Sequence, residues 1–381
     1  MNHFPEAITK ALSEMKIESL TPIQESAIPK ILEGRDLVAL AETGSGKTLA
    51  FVLPIITKLI GAPKRPTKML VITPTKELSE QILAVAKKCA RFTNIISISL
   101  YGGKSFDTQV RELKNGVHLI VACPGRLKDH IEKETIDLSG VETVVLDEAD
   151  QLMDMGFLPH IKVAMDATAN RKQTLLFSAT MSEEVKGLTE EFLKDAETIE
   201  FKANKTKAAI AEIFAPISND LRYPFLRFLL KEHKIKSCLI FTKTKEEARS
   251  LNALLVADKY KAAVLEGDMT THQRKKSLTG LKEKTINILV ATDIASRGLD
   301  IPHVSHVINI GPPQNSDAYI HRVGRTARHD KPGMAITIYI KGEEDFELEE
   351  ILSAQGKELS PTKYKEFNYQ LRLDKKSLKL I

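Results

Sequence analysis

Short runs rich in β-forming residues alternate with helix-length segments along most of the chain, and this alternation limits the folds open to it. In the first half the runs fall at 37–40, 69–73, 95–100, 119–122, 144–146 and 174–177. Runs this apolar, separated by a dozen or more residues, predict parallel strands joined by crossover helices and covered on both faces. Small and polar residues take over at Lys202-Ala203-Asn204-Lys205-Thr206-Lys207, and the alternation resumes at 212–217, 238–241, 262–265, 288–291, 307–310 and 335–340. At 381 residues the chain exceeds one typical core. Two α/β domains are therefore expected, 1–204 and 211–381, with a linker at 205–210. Residues 343–381 are charged and partly helical in pattern, too few for a further core.

Composition narrows the class of protein. Hydrophobic residues make up 43% and charged residues 28%, an ordinary balance for a globular chain. Fifty-five Lys and Arg against 50 Asp and Glu give a net charge of +5, which permits a polyanionic partner without demanding one. Cys89, Cys123 and Cys238 are far apart and lack metal-ligand spacing, so reduced thiols in the cytoplasm are expected. The N-terminus lacks a basic start followed by an apolar run, and the apolar stretch 49–62 contains Pro54 and Lys58. Neither export nor membrane insertion is expected.

Ligand chemistry enters where the first run ends. Ala41-Glu42-Thr43-Gly44-Ser45-Gly46-Lys47-Thr48 follows an apolar strand and leads into an apolar, helix-length segment. Gly44 and Gly46 allow a turn with inward N–H groups, Lys47 is placed for outer phosphates, and the Thr48 hydroxyl for magnesium. A nucleoside triphosphate with Mg2+ is the expected ligand pair. In open α/β sheets, ligands gather at the carboxyl ends of strands, which draws attention to Asp147-Glu148-Ala149-Asp150 after Val144-Val145-Leu146. Asp147 suits magnesium held through its water shell, and Glu148 suits orientation or deprotonation of an attacking water.

In order and spacing these segments resemble those of DEAD-box ATP-dependent RNA helicases of superfamily 2, from about residue 15 to 330. The resemblance extends to Ser178-Ala179-Thr180, to the segment from Ala291 to Asp300, and to Tyr319-Ile320-His321-Arg322-Val323-Gly324-Arg325-Thr326-Ala327-Arg328. It implies two tandem RecA-like domains, each a mostly parallel sheet flanked by helices. It implies ATP held by Gln24, Thr43, Gly44, Ser45, Gly46, Lys47, Thr48 and Asp300, with Arg325 and Arg328 as arginine fingers. Ser178, Thr180 and Arg322 would couple nucleotide state to strand separation. RNA, single-stranded or in short duplexes, would be contacted by Pro74, Thr75, Lys76, Gly103, Pro124, Gly125, Arg126, Thr242 and Thr292.

Glycines, hydroxyls and single cations suit phosphate and sugar contacts that position a strand without reading its sequence. Several residues depart from the family pattern: Lys76 replaces arginine, Cys123 threonine and Ala327 glycine, while Lys16, Ile17 and Leu20 precede Gln24 in place of glycine, an aromatic and proline. The activity implied is ATP-dependent unwinding of short RNA duplexes by a cytoplasmic monomer, with ribosomal or degradation-machinery proteins as candidate partners. An ATP-gated RNA clamp and a DNA translocase are the alternatives.

Overall fold

The computed structural model describes residues 4–41, 44–201, 210–293, 304–326 and 332–369. The chain divides into two compact units, Met1–Ala203 and Asn204–Ile381.

The first unit is built on a seven-stranded sheet of β1 (Leu37–Ala41), β2 (Met69–Ile72), β3 (Ser97–Leu100), β4 (Leu119–Ala122), β5 (Thr143–Asp147), β6 (Gln173–Ser178) and β7 (Glu197–Phe201). Their order across the sheet is β3-β4-β2-β5-β6-β1-β7, and every pairing is parallel. Period-two alternation explains the apolar runs, because successive residues face opposite layers. Leu37 and Ala39 join Val71, Val121 and Phe177 beneath the helices Pro22–Leu32, Lys47–Leu59 and Lys76–Cys89. Val38 joins Leu70, Ile120, Val144 and Leu176 in a second core with the helices Pro124–Glu132 and Leu158–Ala167.

The second unit repeats the plan with β8 (Ile210–Ile217), β9 (Cys238–Thr242), β10 (Ala262–Leu265), β11 (Ile288–Thr292), β12 (His306–Ile310) and β13 (Gly333–Ile340). The order is β10-β11-β9-β12-β13-β8, again parallel throughout. The expected strands are present in both units, most of them longer by a residue or two. One strand, β7, has no counterpart among the expected runs. Its sequence Glu197-Thr198-Ile199-Glu200-Phe201 lacks a continuous apolar run, as suits an edge strand in which Ile199 alone is buried. Ile210, expected to close the linker, is instead the first residue of β8; the rest of that linker lies outside the described residues.

The C-terminal segment is held more firmly than its charge suggests. After the helix Asp345–Ser353, Thr362 N donates to Phe214 O (2.7 Å), and Lys357 pairs with Glu212 (2.5 Å). Phe367 packs on Phe225 (ring centroids 4.9 Å), and Tyr364 and Tyr369 extend that cluster. Residues 370–381, including Lys375 and Lys376, lie outside the described residues.

Candidate active site

Strand order decides which polar segments meet. Because β5, β6 and β1 are consecutive in the sheet, Asp147-Glu148, Ser178 and the loop after Ala41 emerge side by side at the carboxyl edge. The loop turns through two left-handed glycines, Gly44 (φ +87°) and Gly46 (φ +98°), before the helix Lys47–Leu59 begins. A Cβ on Gly46 would lie 2.5 Å from Gln24 Nε2 and 2.8 Å from Thr21 Oγ1, so glycine is required there for space as well as conformation. The helix start directs unpaired N–H groups and the positive end of its dipole at the loop, with Thr48 in its first turn. Ser45 Oγ is buried without a hydrogen-bond partner, the mark of a cradle that fits an oxygen-rich ligand. Thr43 lies outside the described residues.

Lys47 is buried, and its Nζ donates to the Ala41 carbonyl oxygen across the loop (2.7 Å). Asp147 ends β5, accepts from Glu148 N (3.1 Å), and is buried. Burial pushes its carboxyl up to about 6; the Lys47 ammonium and the Glu148 N–H oppose the rise, and the Asp150 carboxylate adds to it. A buried carboxyl of this kind favours a nearby cation. Glu148 sits at φ +51°, ψ +54°, a left-handed conformation uncommon for a residue with a side chain and frequent at functional sites.

Gln24 binds the Q-containing helix to the loop. Its Oε1 accepts from Thr21 N (3.0 Å) and its Nε2 donates to Gly46 O (3.0 Å), so the amide joins the helix cap to the loop. Lys16, in the place of the family's glycine, adopts φ +58°, which explains why glycine suits that position. Ile17 and Leu20 pack against the core of the first unit. Asp150, not singled out by the sequence, is the element that fixes Ser178-Ala179-Thr180. Its Oδ2 accepts from Ala179 N (3.0 Å), Thr180 N (3.2 Å) and Thr180 Oγ1 (3.5 Å), while its own N donates to Ser178 Oγ (3.2 Å). Its place in an acidic tetrad was the available signal.

The segments expected to contact RNA occupy the other half of the same edge, after β2, β4 and β3. Thr75 caps the helix Lys76–Cys89, its Oγ1 accepting from Leu78 N (3.2 Å), and Lys76 lies 3.7 Å from Glu77. Gly103 is left-handed (φ +89°). Cys123 occupies the N-cap position of the helix Pro124–Glu132 without a side-chain capping bond, and burial pushes its thiol up to about 12, leaving it protonated and unreactive. Gly125 and Arg126 follow in the first turn, and Arg126 donates to Lys104 O (2.9 Å), tying the β4 and β3 loops together.

In the second unit Thr242 and Thr292 end the neighbouring strands β9 and β11. Both are buried, and the Thr242 hydroxyl donates to Thr244 O (3.0 Å). Arg322, on the helix Ser316–Val323, is also buried. It makes a two-pronged pair with Asp293 (2.6 and 2.7 Å), donates to Asn309 Oδ1 (3.2 Å), and lies over the Phe241 ring (5.0 Å). Its place is therefore that of a brace between β11, β12 and the helix. Arg325 follows the turn at Gly324, where a Cβ would meet Ile320 O at 3.1 Å. Asp300, Arg328 and Ala327 lie outside the described residues. Cys89, Cys123 and Cys238 are free thiols.

Comparison with known proteins agrees with this layout. A DEAD/DEAH box helicase family model matches residues 21–188, and a helicase conserved C-terminal domain model matches residues 221–330. The chain is 42% identical over 334 residues to the DEAD-box ATP-dependent RNA helicase RhpA of Helicobacter pylori, covering 87% of this chain and 68% of that protein. It is 40% identical to the ATP-dependent RNA helicase CshA of Listeria monocytogenes, covering 87% and 64%. Among solved structures, S. cerevisiae Dbp5 bound to RNA and ADP BeF3 is similar with a TM-score of 0.80 and 27% identity, covering 93% of this chain and 92% of that one. Mss116p bound to ssRNA and AMP-PNP is similar with a TM-score of 0.81 and 29% identity, covering 94% and 77%. With its phosphate loop, acidic tetrad and two parallel-sheet units in this order, the chain belongs to the DEAD-box helicase family.

Proposed function

We propose that this protein is an RNA-dependent ATPase that unwinds short RNA duplexes and remodels RNA or ribonucleoprotein, with ATP hydrolysis driving release. The observation that carries the reading is the division of one sheet edge, with the nucleotide segments after β1, β5 and β6 and the backbone-binding segments after β2, β3 and β4. Relatives named as ATP-dependent RNA helicases, and similar structures solved with RNA and nucleotide, support the same assignment.

Gly44, Gly46 and the helix start present N–H groups to the phosphates, and Lys47 exchanges its bond with Ala41 O for the outer phosphates. Thr48 and Asp147 are the residues that would hold Mg2+, whose charge neutralises the triphosphate. Glu148 takes the proton of the attacking water, or orients it. Arg325 and Arg328 supply positive charge to the γ-phosphate as it transfers, so hydrolysis requires the second unit. RNA and ATP then favour the same closed state, and each tightens binding of the other. The free cysteines accord with a reducing cytoplasmic setting, and a monomer suffices for this scheme.

Two substitutions separate the roles. Lys47→Ala is expected to abolish nucleotide binding, whereas Glu148→Gln keeps ATP and RNA bound together and stops turnover. Hydrolysis by Glu148→Gln at the wild-type rate with saturating RNA would remove Glu148 from the chemistry. Strand displacement over multiple turnovers distinguishes a helicase from a clamp, and a DNA strand of equal sequence tests the requirement for the 2′-hydroxyl.

A further inference from the structure

Arg126 is oriented by a set of contacts that no sequence motif announces. The helix Pro124–Glu132 brings Arg126 and His130, four residues apart, to one face, and Lys133 at the helix end continues that face. Phe106, the first residue of the helix Phe106–Lys114, lies against it. The Phe106 ring stacks on the His130 imidazole with centroids 4.3 Å apart and planes within 12°. Arg126 Cζ lies 5.6 Å and Lys133 Nζ 4.5 Å from the Phe106 centroid, both within cation–π range. His130 is completely buried, and its Nδ1 is paired with Thr135 Oγ1 (2.7 Å). The Thr135 hydroxyl already donates to His130 O (3.1 Å), so Nδ1 is the donor to it and the ring is held in one orientation.

The far side of the guanidinium is fixed as well. Arg126 NH1 donates to Lys104 O (2.9 Å) and Nε to Asp129 Oδ2 (3.3 Å), which leaves three of its five N–H groups for a ligand. Lys104 O is itself held in place, because buried Gln109 donates to it through Nε2 (3.2 Å) while its Oε1 accepts from Tyr101 N (3.1 Å). The loop carrying Gly103 and the turn carrying Arg126 therefore form one braced unit. The Phe106 ring thus has His130 stacked on it and two cations within range of it.

We propose that Phe106 is a positioning residue for RNA binding, using its ring, backed by His130, to hold the Arg126 guanidinium toward an RNA phosphate. This rests on the reading of Arg126 as an RNA contact. Orientation matters because the planar guanidinium binds phosphate through paired N–H groups, which a freely rotating side chain presents only part of the time.

The test measures binding of a fluorescein-labelled oligouridylate to the full chain, with Mg2+ and a non-hydrolysable ATP analogue, alongside RNA-stimulated ATP hydrolysis. Phe106→Leu should weaken RNA binding about 3- to 10-fold, in line with loss of one cation–π contact, and raise the RNA concentration for half-maximal ATPase by the same factor. Turnover at saturating RNA and the KM for ATP should stay within twofold of wild type. Phe106→Tyr should restore RNA affinity, since it keeps the aromatic face and, unlike leucine, also controls for loss of fold. Arg126→Ala should weaken binding at least as much, and adding Phe106→Leu to Arg126→Ala should cause no further loss. A further loss in the double variant, or full affinity in Phe106→Leu, would overturn the positioning role while leaving Arg126 as an RNA contact. Full affinity in Arg126→Ala would overturn the RNA reading of Arg126 itself, and the proposal with it.

Discussion

At Asp147 the demands of folding and of catalysis oppose each other. Burial raises its folded pKa to about 6, well above the usual carboxylate range. A carboxyl with a raised folded pKa contributes stability that is fully present below the unfolded pKa and lost as pH rises through the folded one. At neutral pH the protein therefore carries a buried carboxylate at a cost, which a bound cation would offset. Asp147→Asn removes that charge with little change of shape. Without nucleotide or Mg2+, it is expected to raise the unfolding temperature at pH 8, by a free energy of up to about 3 kcal/mol, with the gain shrinking as pH falls from 6 toward 4. An unchanged unfolding temperature at pH 8 would show that the carboxylate is not held at a cost. Glu148, the next residue, shows a second strain, a left-handed backbone at an element boundary. Neither property is written in the letters Asp-Glu; the first goes with the place of β5 in the sheet, paired on both sides and buried at its end.

At the scale of elements, the motifs legible in the sequence are those that follow an apolar strand directly. The phosphate loop after β1, the acidic pair after β5 and Ser178 at the end of β6 all have this form. What was not legible is what joins one element to another. Asp150 reaches Ser178-Ala179-Thr180 across 28 to 30 residues, and Phe106 meets His130 across 24, through contacts set by strand order and helix packing. Strand β7 forms no continuous apolar run because an edge strand need bury only one face. Arg322 belongs to this class. Its motif suggested coupling, and in the structure it braces β11 and β12 through Asp293 and Asn309. Breaking a buried ion pair by removing one partner costs about 3–5 kcal/mol. Arg322→Ala is accordingly expected to lower the unfolding free energy of the second unit by that amount, read as a lower urea midpoint, while leaving nucleotide binding to the first unit intact, measured by urea unfolding and nucleotide titration. A variant as stable as wild type would show that Arg322 is no brace.

The whole molecule repeats one plan, an all-parallel sheet between helix layers, in two units with separate cores. The repetition was legible because every interior strand is apolar on both faces. The C-terminal segment was less so: Tyr364, Phe367 and Tyr369 are spaced among charged residues, and their common destination, the rings of Phe225 and Phe228, lies far off in the sequence. In the proposed mechanism the units divide the labour, the first binding ATP and the second supplying arginine to the transition state. The central claim is tested most directly by ATP hydrolysis of the full chain, with and without saturating single-stranded RNA, in wild type and Arg325→Ala. Wild-type turnover should rise with RNA, and Arg325→Ala should still bind ATP but lose turnover by roughly 10³-fold or more. An Arg325→Ala protein hydrolysing ATP at the wild-type, RNA-stimulated rate would contradict it.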